Sequence, residues 1–376
     1  MALQELLVAN YRSLRNVRLP LGQLTVITGP NGSGKSNLYR ALWLIARICE
    51  GDFSRTLARE GGLISALWAG PRTTKKSHRM TLGFRTDEYT FELNCGFPKP
   101  DKSLYGHRFS YDAQIKEEAI WFGKVRKPST TFLEREGGRT QIRDVNGQRI
   151  DYLLSLSENE STLSQLREPE RFPELFAIRD DVRGWRFYHS FRTDEDSPLR
   201  NPQSSVLTPV LRHDGSDLAA ALQTILHIGD GEHLERAVSQ ALHGRSLTIL
   251  ANEPDMTRKS PRCIELSVAL ETDGCERPLI ARELSDGTLK FLCLAAALLT
   301  PRPPGLIALN EPESSLHPDL LRPLAGLIVE ASKRSQVWVT THSPILVAAI
   351  EESSGVRPIE LQLINGETVI EESDFD

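Results

Sequence analysis

The chain has 376 residues, a length that suits one large α/β domain with insertions as well as two or three domains. With 39% hydrophobic and 25% charged residues, it has the composition of a globular protein with a sizeable core. The formal net charge of −5 excludes a global positive field that would draw the protein onto nucleic acid. Any contact with DNA therefore has to come from a local basic patch.

Cysteine usage and the lack of long apolar stretches predict a cytoplasmic protein. The five cysteines show no CxxC pair and no metal-type spacing with histidine, so we expect reduced and mostly buried thiols. The N-terminus has no basic segment followed by an apolar one, so no secretory signal is evident. The longest apolar run, FLCLAAALL at 291–299, is too short to cross a bilayer, and no membrane partner is expected.

The N-terminal part predicts strands, a glycine-rich loop and a helix, in that order. The stretches at 5–19 and 23–28 are rich in β-branched and apolar residues and predict strands on either side of a turn. The loop GPNGSGKS follows, and after it apolar residues recur at helical spacing. That helical stripe consists of Leu38, Leu42, Ile45 and Cys49.

The middle of the chain first predicts paired strands and then helices. Residues 80–95 and roughly 105–150 alternate between apolar and polar side chains, which predicts an antiparallel β subdomain with a hairpin turn at Asn146–Gly147. From about 155 the pattern becomes helical and irregular. GSDLAAALQTIL predicts a helix capped by Ser216 and Asp217, and EHLERAVSQAL predicts a second helix.

The last hundred residues alternate between helix and strand, which is typical of a parallel sheet with helices on its faces. The strand CIELSVAL precedes them at 263–270. The predicted fold class is therefore α/β, with a mixed central sheet flanked by helices, an antiparallel β subdomain and a helical lobe.

The segment GPNGSGKS, Gly29 to Ser36, fits the P-loop pattern G-x-x-x-x-G-K-[ST] without a mismatch. Its glycines let backbone N–H groups turn toward phosphate oxygens, and the following helix adds its positive N-terminal end. We expect Lys35 to reach the β- and γ-phosphates of ATP and the Ser36 hydroxyl to ligate Mg²⁺. A glycine-rich turn could match by chance, but the flanking strand and helix favour a nucleotide site. The predicted nucleotide contacts in this region are Asn31, Gly32, Ser33, Gly34, Lys35, Ser36 and Asn37.

Three segments near the C-terminus carry further candidate chemistry. ELSDGTLKFLCLAAALL places Ser285 at a helix N-cap with Gly287 beside it, which suits either an ordinary capped core helix or an anion contact. GLIALNEPESSLHP is a buried-strand pattern that runs into Asn310 and Glu311, although such charges also introduce helices. VWVTTHSPILV places His342 directly after a strand, where a histidine is either structural or a ligand contact.

Taken in order, NYRSL, GPNGSGKSN, LSDGT, NEPESSLHP and THSP resemble the motifs of an ABC-type ATPase head of the RecF/SMC/OLD-like branch, the AAA_21-type predicted ATPases. LSDGT resembles the LSGGQ signature with Asp286 at the position of its first glycine. NEPE resembles a Walker B motif with Asn310 at the position of its aspartate, and SSLHP resembles a D-loop. The resemblance covers roughly residues 1–50 and 280–345.

The resemblance implies a homodimer in which two chains enclose two ATP molecules with Mg²⁺. Lys35 and Ser36 of one chain would hold the phosphates and the metal, and Ser285 and Gly287 of the other would close over the γ-phosphate. Arg12 of the NYRSL motif would lie near the nucleotide.

The resemblance also implies which residues are catalytic. Glu311 would act as the general base, His342 would contact the γ-phosphate and the attacking water, and Lys35 would stabilise the transferred phosphoryl group. Asn310 would accept a hydrogen bond from a metal-bound water. Because an amide is neutral, it supports Mg²⁺ less than a carboxylate does, so weaker metal affinity and slow turnover are expected.

The domain organisation that the resemblance implies is a single ABC-type ATPase domain over 1–376. Residues 1–150 would form the first half of lobe I with the P-loop and the β subdomain. Residues 151–262 would be a helical and irregular insertion, lobe II. Residues 263–376 would carry the signature helix, the Walker B strand, the switch histidine and the C-terminal end.

Two functions remain open. One is an ATP hydrolase that acts on DNA in repair or anti-phage defence, which Glu311 and His342 favour. The other is a slow or non-hydrolysing ATP-gated scaffold that controls a separately encoded effector such as a nuclease, which Asn310 favours. A DNA contact would use one of two basic runs, although the composition of each run favours a solvated loop over a phosphate contact. These runs are Arg72, Lys75, Lys76 and Arg79, and GKVRKP at 123–128.

Overall fold

A computed structural model of the chain describes residues 1–71, 79–98, 112–153, 155–252 and 264–371. Contacts divide the chain into two compact units. Unit 1 comprises Met1–Gly22, Ile27–Trp185 and Ile359–Asp376, and unit 2 comprises Gln23–Val26 and Arg186–Pro358. Three basic residues of the first predicted patch lie outside the described residues, as do Cys263 and part of the predicted 105–150 strand region. Those basic residues are Arg72, Lys75 and Lys76.

Unit 1 contains an antiparallel sheet of eight strands in the spatial order β2-β1-β4-β5-β6-β7-β8-β9. Its strands are β1 (Leu3–Tyr11), β2 (Leu14–Pro20), β4 (Met80–Thr86), β5 (Tyr89–Gly96), β6 (Gln114–Phe122), β7 (Thr131–Glu136), β8 (Arg139–Arg143) and β9 (Arg149–Asp151). The stretch predicted as one strand at 5–19 is a hairpin, because the chain reverses at Arg12, whose φ is +49°. The predicted turn at Asn146–Gly147 does join two antiparallel strands, β8 and β9.

Within the described part of unit 1 there are five helices. They are α1 (Lys35–Glu50), α2 (Phe53–Arg59), α3 (Gly62–Ala66), α4 (Thr162–Gln165) and α5 (Pro173–Gly184). The longest of them, α1, begins after a left-handed Gly34 and ends at a left-handed Gly51. It buries the apolar stripe that the sequence predicts, so the helix that follows the P-loop is fixed by the core of this unit.

Unit 2 contains three parallel strands in the order β10-β15-β16: β10 (Arg186–Tyr188), β15 (Leu306–Asn310) and β16 (Gln336–Thr340). Every residue of β15 and β16 is buried, as expected for strands that are covered on both faces. Tyr188 lies opposite Leu309, and Asn310 lies opposite Thr340. The carboxyl ends of all three strands therefore meet at one edge, where parallel sheets bind ligands.

Helices and a small antiparallel sheet complete unit 2. The helices are α6 (Leu218–Ile228), α7 (Gly231–Ala241), α8 (Asp286–Leu298), α9 (Leu321–Ala331) and α10 (Pro344–Ser354). The small sheet contains β11 (Gln203–Ser204), β12 (Ser246–Asn252), β13 (Glu265–Glu271) and β14 (Leu279–Ile280). Every residue of α8 from Thr288 to Leu298 is buried, so the core of unit 2 surrounds this helix. The predicted cap of α6 is wrong in detail, because the Asp217 carboxylate accepts from the Arg212 backbone N–H, 3.0 Å away, and caps no helical N–H.

The strand β3 (Leu24–Thr28) is divided between the two units. In unit 2, the backbone carbonyl of Gln23 accepts a hydrogen bond from Val337 of β16 at 2.8 Å. In unit 1, Ile27 pairs in parallel with Ile359 of β17 (Ile359–Ile364). β17 forms an antiparallel hairpin with β18 (Glu367–Ile370).

The structure bears on two predictions made from composition, those on the cysteines and on membrane-spanning segments. Cys49, Cys95 and Cys293 are buried free thiols, and Cys275 is an exposed one. No helix in the part of the chain that the structure describes combines the length and apolar character that crossing a membrane requires.

Candidate functional site

The P-loop backbone depends on glycine at its two ends. Gly29 has a φ of +145° and Gly34 a φ of +106°. A Cβ atom on Gly29 would lie 2.4 Å from the Leu361 carbonyl oxygen, and one on Gly34 would lie 2.0 Å from Thr368 Oγ1. Both contacts are too short for any side chain, so the path of the loop requires glycine at each position.

Lys35 points back into the P-loop from the first position of α1. Its side chain is buried, and Nζ donates hydrogen bonds to the carbonyls of Gly29 at 2.7 Å and Pro30 at 2.9 Å. A charged group held by neutral carbonyls can exchange them for phosphate oxygens, which are stronger acceptors. This position is the one that the sequence predicts for a phosphate-binding lysine.

The other predicted P-loop residues differ in their exposure. Asn31 and Gly32 are exposed at the tip of the loop, whereas Ser36 and Asn37 are half-buried in the first turn of α1. Ser33 is buried, and among the described residues its hydroxyl has no hydrogen-bond partner. Because buried polar atoms normally have partners, an orphaned hydroxyl inside this loop suits a phosphate oxygen.

A chain of hydrogen bonds that the sequence did not reveal connects the C-terminal hairpin to the P-loop. Asn37 Nδ2 donates to Ser13 Oγ at 2.9 Å, and Ser13 Oγ lies 2.7 Å from Thr368 Oγ1. The Thr368 hydroxyl then donates to the backbone carbonyl of Ser33 at 2.9 Å. Thr368 therefore braces the P-loop from β18, and only its distant contacts identify it.

Arg12 is fixed by neighbours within unit 1. Its guanidinium donates to Glu60 Oε2 at 2.9 Å and lies over the ring of Tyr11, with 5.6 Å from Cζ to the ring centroid. The Tyr11 hydroxyl donates to the same carboxylate oxygen at 2.7 Å. Burial, and after it the Glu60 charge, raises the pKa of the Tyr11 phenol. The predicted contact of Arg12 with the nucleotide stays a prediction.

Polar side chains lie at and just beyond the carboxyl ends of β10, β15 and β16, and we call six of them the strand-end cluster. They are His189, Asn310, Glu311, Glu313, Thr340 and His342. Asn310 is only 5% exposed. Its amide oxygen accepts from Thr340 Oγ1 at 2.8 Å, and its amide nitrogen lies 2.9 Å from His189 Nδ1.

The two carboxylates of the strand-end cluster have different surroundings. The Glu313 side chain is 6% exposed, and its Oε1 accepts hydrogen bonds from Thr341 Oγ1 at 2.6 Å and from the His342 N–H at 2.9 Å. Glu311 is 36% exposed, and its Oε1 lies 3.9 Å from His342 Nδ1. Glu313 therefore holds the loop after β16, and Glu311 is the carboxylate that solvent or a ligand reaches.

The signature segment packs against the loop that follows β15. Ser285 is the N-cap of α8, where its hydroxyl accepts from the Thr288 N–H at 3.2 Å. A Cβ atom on Gly287 would lie 3.0 Å from the Ser315 carbonyl oxygen, so a larger residue would press on that loop. Lys290 Nζ donates to the Ser314 carbonyl at 2.5 Å, and burial lowers the pKa of this lysine.

Asp286, the departure from the family signature, has a partner. Arg200 donates to Asp286 Oδ1 at 2.6 Å and to the Leu284 carbonyl at 2.8 Å. Ser285 and Gly287 also line a cavity of about 260 Å³ with His317. The predicted helix N-cap thus opens onto space for a ligand.

The described residues contain no group of three or more His, Cys, Asp or Glu side chains arranged to hold a metal ion. Mg²⁺ often binds through one or two protein oxygens, with water and substrate phosphates as its other ligands. The half-buried Ser36 hydroxyl suits such a phosphate-held ion. Two arginines of the basic runs are already paired, Arg79 with Glu117 and Arg126 with Glu134.

The family profile described as "AAA domain, putative AbiEii toxin, Type IV TA system" (AAA_21) matches residues 24–348. A curated relative, "OLD nuclease" from Thermus scotoductus, is 51% identical over 367 residues. The alignment covers 91% of this chain and 59% of that relative, so the chain spans less than two thirds of the relative's length.

Two solved structures of SMC heads share the fold. The SMC head bound to the C-winged helix domain of ScpA has a TM-score of 0.54 at 15% identity, with 100% of this chain and 98% of the other covered. The head with an extended coiled coil, bound to the C-terminal domain of ScpA derived from Pyrococcus furiosus, has a TM-score of 0.52 at 14% identity, with 98% and 96% covered. These likenesses confirm the predicted fold class.

Proposed function

The chain belongs to the AAA_21 family of ABC-type ATPase heads, in the RecF/SMC/OLD-like branch, and from this premise we propose that it binds and hydrolyses ATP with Mg²⁺. The main support for this proposal is the geometry of the P-loop. Its glycine-dependent path, the Lys35 ammonium held by exchangeable carbonyls and the orphaned Ser33 hydroxyl all suit a triphosphate. The OLD nuclease relative supports a role connected with DNA.

Each motif has a role in the proposed reaction. Lys35 binds the β- and γ-phosphates, and the Ser36 hydroxyl holds the metal. Glu311 accepts a proton from the attacking water, a role that fits its exposure beside His342. Asn310 accepts a hydrogen bond from a water bound to the metal. Mg²⁺, when bound, neutralises phosphate charge.

Phosphate release and nucleotide binding test the proposal on the purified protein. We expect the wild-type protein to bind ATP and release phosphate, and Lys35→Ala to lose both. Lys333→Ala is a matched control, because Lys333 is an exposed lysine in the turn after α9 and its partner is Glu330. Absence of ATP binding by the wild-type protein, or retention of binding by Lys35→Ala, would refute the proposal.

The second candidate function is an ATP-gated scaffold that controls a separate effector, such as a nuclease. The neutral Asn310 favours it, because both ends of its amide lie within hydrogen-bond distance of protein side chains and it brings no charge to the cation. Phosphate release with and without double- and single-stranded DNA separates the two functions. DNA-stimulated turnover supports a hydrolase in repair or anti-phage defence, whereas ATP binding with negligible turnover in every case supports the scaffold.

A further inference from the structure

Helix α8 buries a lysine among the apolar residues of the core of unit 2. Lys290 is 9% exposed, and every residue of the helix from Thr288 to Leu298 is buried. A buried ammonium has lost its water, so protein acceptors have to meet its charge. Burial lowers the pKa of Lys290, and the charges of Glu313 and Glu311 act in the opposite direction. The segment that supplies these groups is therefore tied to α8.

The hydrogen-bond acceptor of this lysine is in the loop from Glu311 to Ser315, which follows β15. Lys290 Nζ donates to the Ser314 carbonyl at 2.5 Å, and the Ser314 N–H donates to the Glu311 carbonyl at 3.1 Å. Ser314 is thus held by α8 on one side and by the backbone of Glu311 on the other. A charged donor forms a stronger hydrogen bond than a neutral one does. The contact with Lys290 is therefore a strong constraint on the path of this loop.

The backbone of the loop needs such a constraint. Glu311 and Ser315 have φ angles of +48° and +61°, in the left-handed region that residues with side chains disfavour. Residues in that region keep their conformation when surrounding contacts hold them. Lys290 meets the loop between these two residues, at Ser314. Removal of its ammonium would therefore allow the loop, and Glu311 with it, to relax toward another path.

The charge of Lys290 also compensates a buried carboxylate. One oxygen of Glu313, Oε2, has no hydrogen-bond partner among the described residues. The other, Oε1, accepts from Thr341 Oγ1 and from the His342 N–H. Burial of a carboxylate is costly unless a cation balances it. Lys290 supplies such a charge within the same core, so it also stabilises the residue that anchors the loop after β16.

The same face of α8 reaches the loop one turn earlier. A Cβ atom on Gly287 would lie 3.0 Å from the Ser315 carbonyl oxygen, and Lys290, three positions further on, contacts Ser314. Residues three positions apart are neighbours on one face of a helix. A shift of the N-terminal turn of α8, which carries the signature segment, is therefore passed on to the loop that begins at Glu311.

We propose that Lys290 is a positioning residue for ATP hydrolysis: its ammonium holds the Ser314 carbonyl and so sets the position of Glu311 relative to the N-terminal turn of α8. The inference rests on the proposed function, because Glu311 is the proton acceptor of the proposed reaction. Lys290 acts through the loop and takes no part in proton transfer. ATP binding at the P-loop does not depend on it.

Hydrogen exchange tests the contact without reference to turnover. We expect Lys290→Met, which keeps the length of the side chain and removes its charge, to speed exchange of the Ser314 and Leu316 amides. Both amides donate to carbonyls of the same loop. The expected factor is at least about tenfold, as for the loss of one hydrogen bond to a charged group. Lys333→Met, the same change at an exposed lysine, should leave both exchange rates as in the wild-type protein.

Steady-state phosphate release and nucleotide titration test the positioning role. Lys290→Met should lower kcat by about 10²-fold, because a misplacement of about 1 Å near the reacting atoms costs that much. ATP affinity should stay near that of the wild-type protein, since Lys290 is not part of the P-loop. Lys333→Met should change neither quantity. A loss confined to kcat separates positioning from a general loss of structure, which would lower affinity as well.

A second variant guards against instability, because removing one charge of a buried pair leaves the other uncompensated. The double variant Lys290→Met, Glu313→Gln removes both charges. Its Gln amide oxygen still accepts from Thr341 Oγ1 and the His342 N–H. Compared with Glu313→Gln alone, the double variant should show the same further loss of kcat and the same faster exchange of the loop.

The outcomes separate the inference from the proposed function. Unchanged exchange of the loop in a folded variant overturns the inference, whatever its turnover. Faster exchange with unchanged kcat also overturns it, because the reaction is then insensitive to where the loop lies. A parallel loss of ATP affinity and kcat overturns it as well, since Lys290 then supports binding. Failure of the wild-type protein to bind ATP and release phosphate refutes the proposed function instead, and the exchange rates still decide whether Lys290 holds the loop.

Discussion

Glu311 and Glu313 are two positions apart at the end of β15, yet they have opposite surroundings. Glu313 is 6% exposed and accepts hydrogen bonds from Thr341 and His342. Glu311 is 36% exposed and has a left-handed φ of +48°. A proton acceptor must be reachable by water, whereas a loop anchor must keep its partners, so the proposed reaction assigns the first task to Glu311 and the second to Glu313.

Glu311→Gln should lower phosphate release by roughly 10²- to 10⁴-fold, because the amide no longer accepts a proton from water. ATP binding and the free energy of unfolding should stay near those of the wild-type protein, since Glu311 is partly exposed. Phosphate release, nucleotide titration and denaturant unfolding measure these three quantities. Unchanged turnover in this variant would remove Glu311 from the catalytic assignment.

Asn310→Asp should raise affinity for the Mg²⁺–nucleotide complex by about tenfold, because it adds negative charge where the cation is expected. A carboxylate at this position still accepts from the Thr340 hydroxyl and from a protonated His189 Nδ1, so we expect the fold to persist. Turnover should stay equal or increase. Loss of turnover in a folded Asn310→Asp protein would contradict the metal-supporting role of this position.

At the scale of elements, the β17–β18 hairpin holds the P-loop in place. Thr368 on β18 donates to the Ser33 carbonyl and is hydrogen-bonded to Ser13. Thr368→Val keeps the shape and removes the hydroxyl, so both groups lose a partner. We expect the free energy of unfolding to fall by about 1–3 kcal/mol and ATP affinity to fall as the loop loosens.

Thr368→Ser is the matched control, because it retains the hydroxyl and loses only a methyl group. Denaturant unfolding and nucleotide titration of both variants make the comparison. If Thr368→Val binds ATP and unfolds as the wild-type protein does, the hairpin does not brace the P-loop.

The sequence predicts those elements whose conformation is determined by residues close to them in the chain. The P-loop between a strand and a helix, the buried strand β15 and the Ser285 cap of α8 all follow from local residue patterns. His189 and Thr368 could not be predicted in this way. Their partners Asn310 and Ser13 lie 121 and 355 positions away. β10 has only three residues, too few for a periodic pattern to stand out.

At the scale of the whole molecule, one chain carries one P-loop and one signature segment. Ser285, the N-cap residue of α8, is exposed, and the Arg200–Asp286 pair fixes the turn on which it lies. An exposed helix N-terminus that is held rigid suits a phosphate carried by a second copy of the chain. The homodimer that the resemblance implies therefore depends on ATP and on an accessible Ser285.

Glu311→Gln with ATP and Mg²⁺ should sediment at twice the chain mass of 42.1 kDa, because blocked hydrolysis preserves the closed state. The double variant Glu311→Gln, Ser285→Arg should sediment at the mass of one chain under the same conditions. The long arginine side chain then occupies the space that the phosphate bound by the partner chain would need. Gly326→Arg is the matched control in the same Glu311→Gln background, because a Cβ atom at this exposed helical position meets nothing within 4 Å. It should leave the dimer intact. A dimer that forms without ATP, or one that survives Ser285→Arg, would show that the chains associate through another surface.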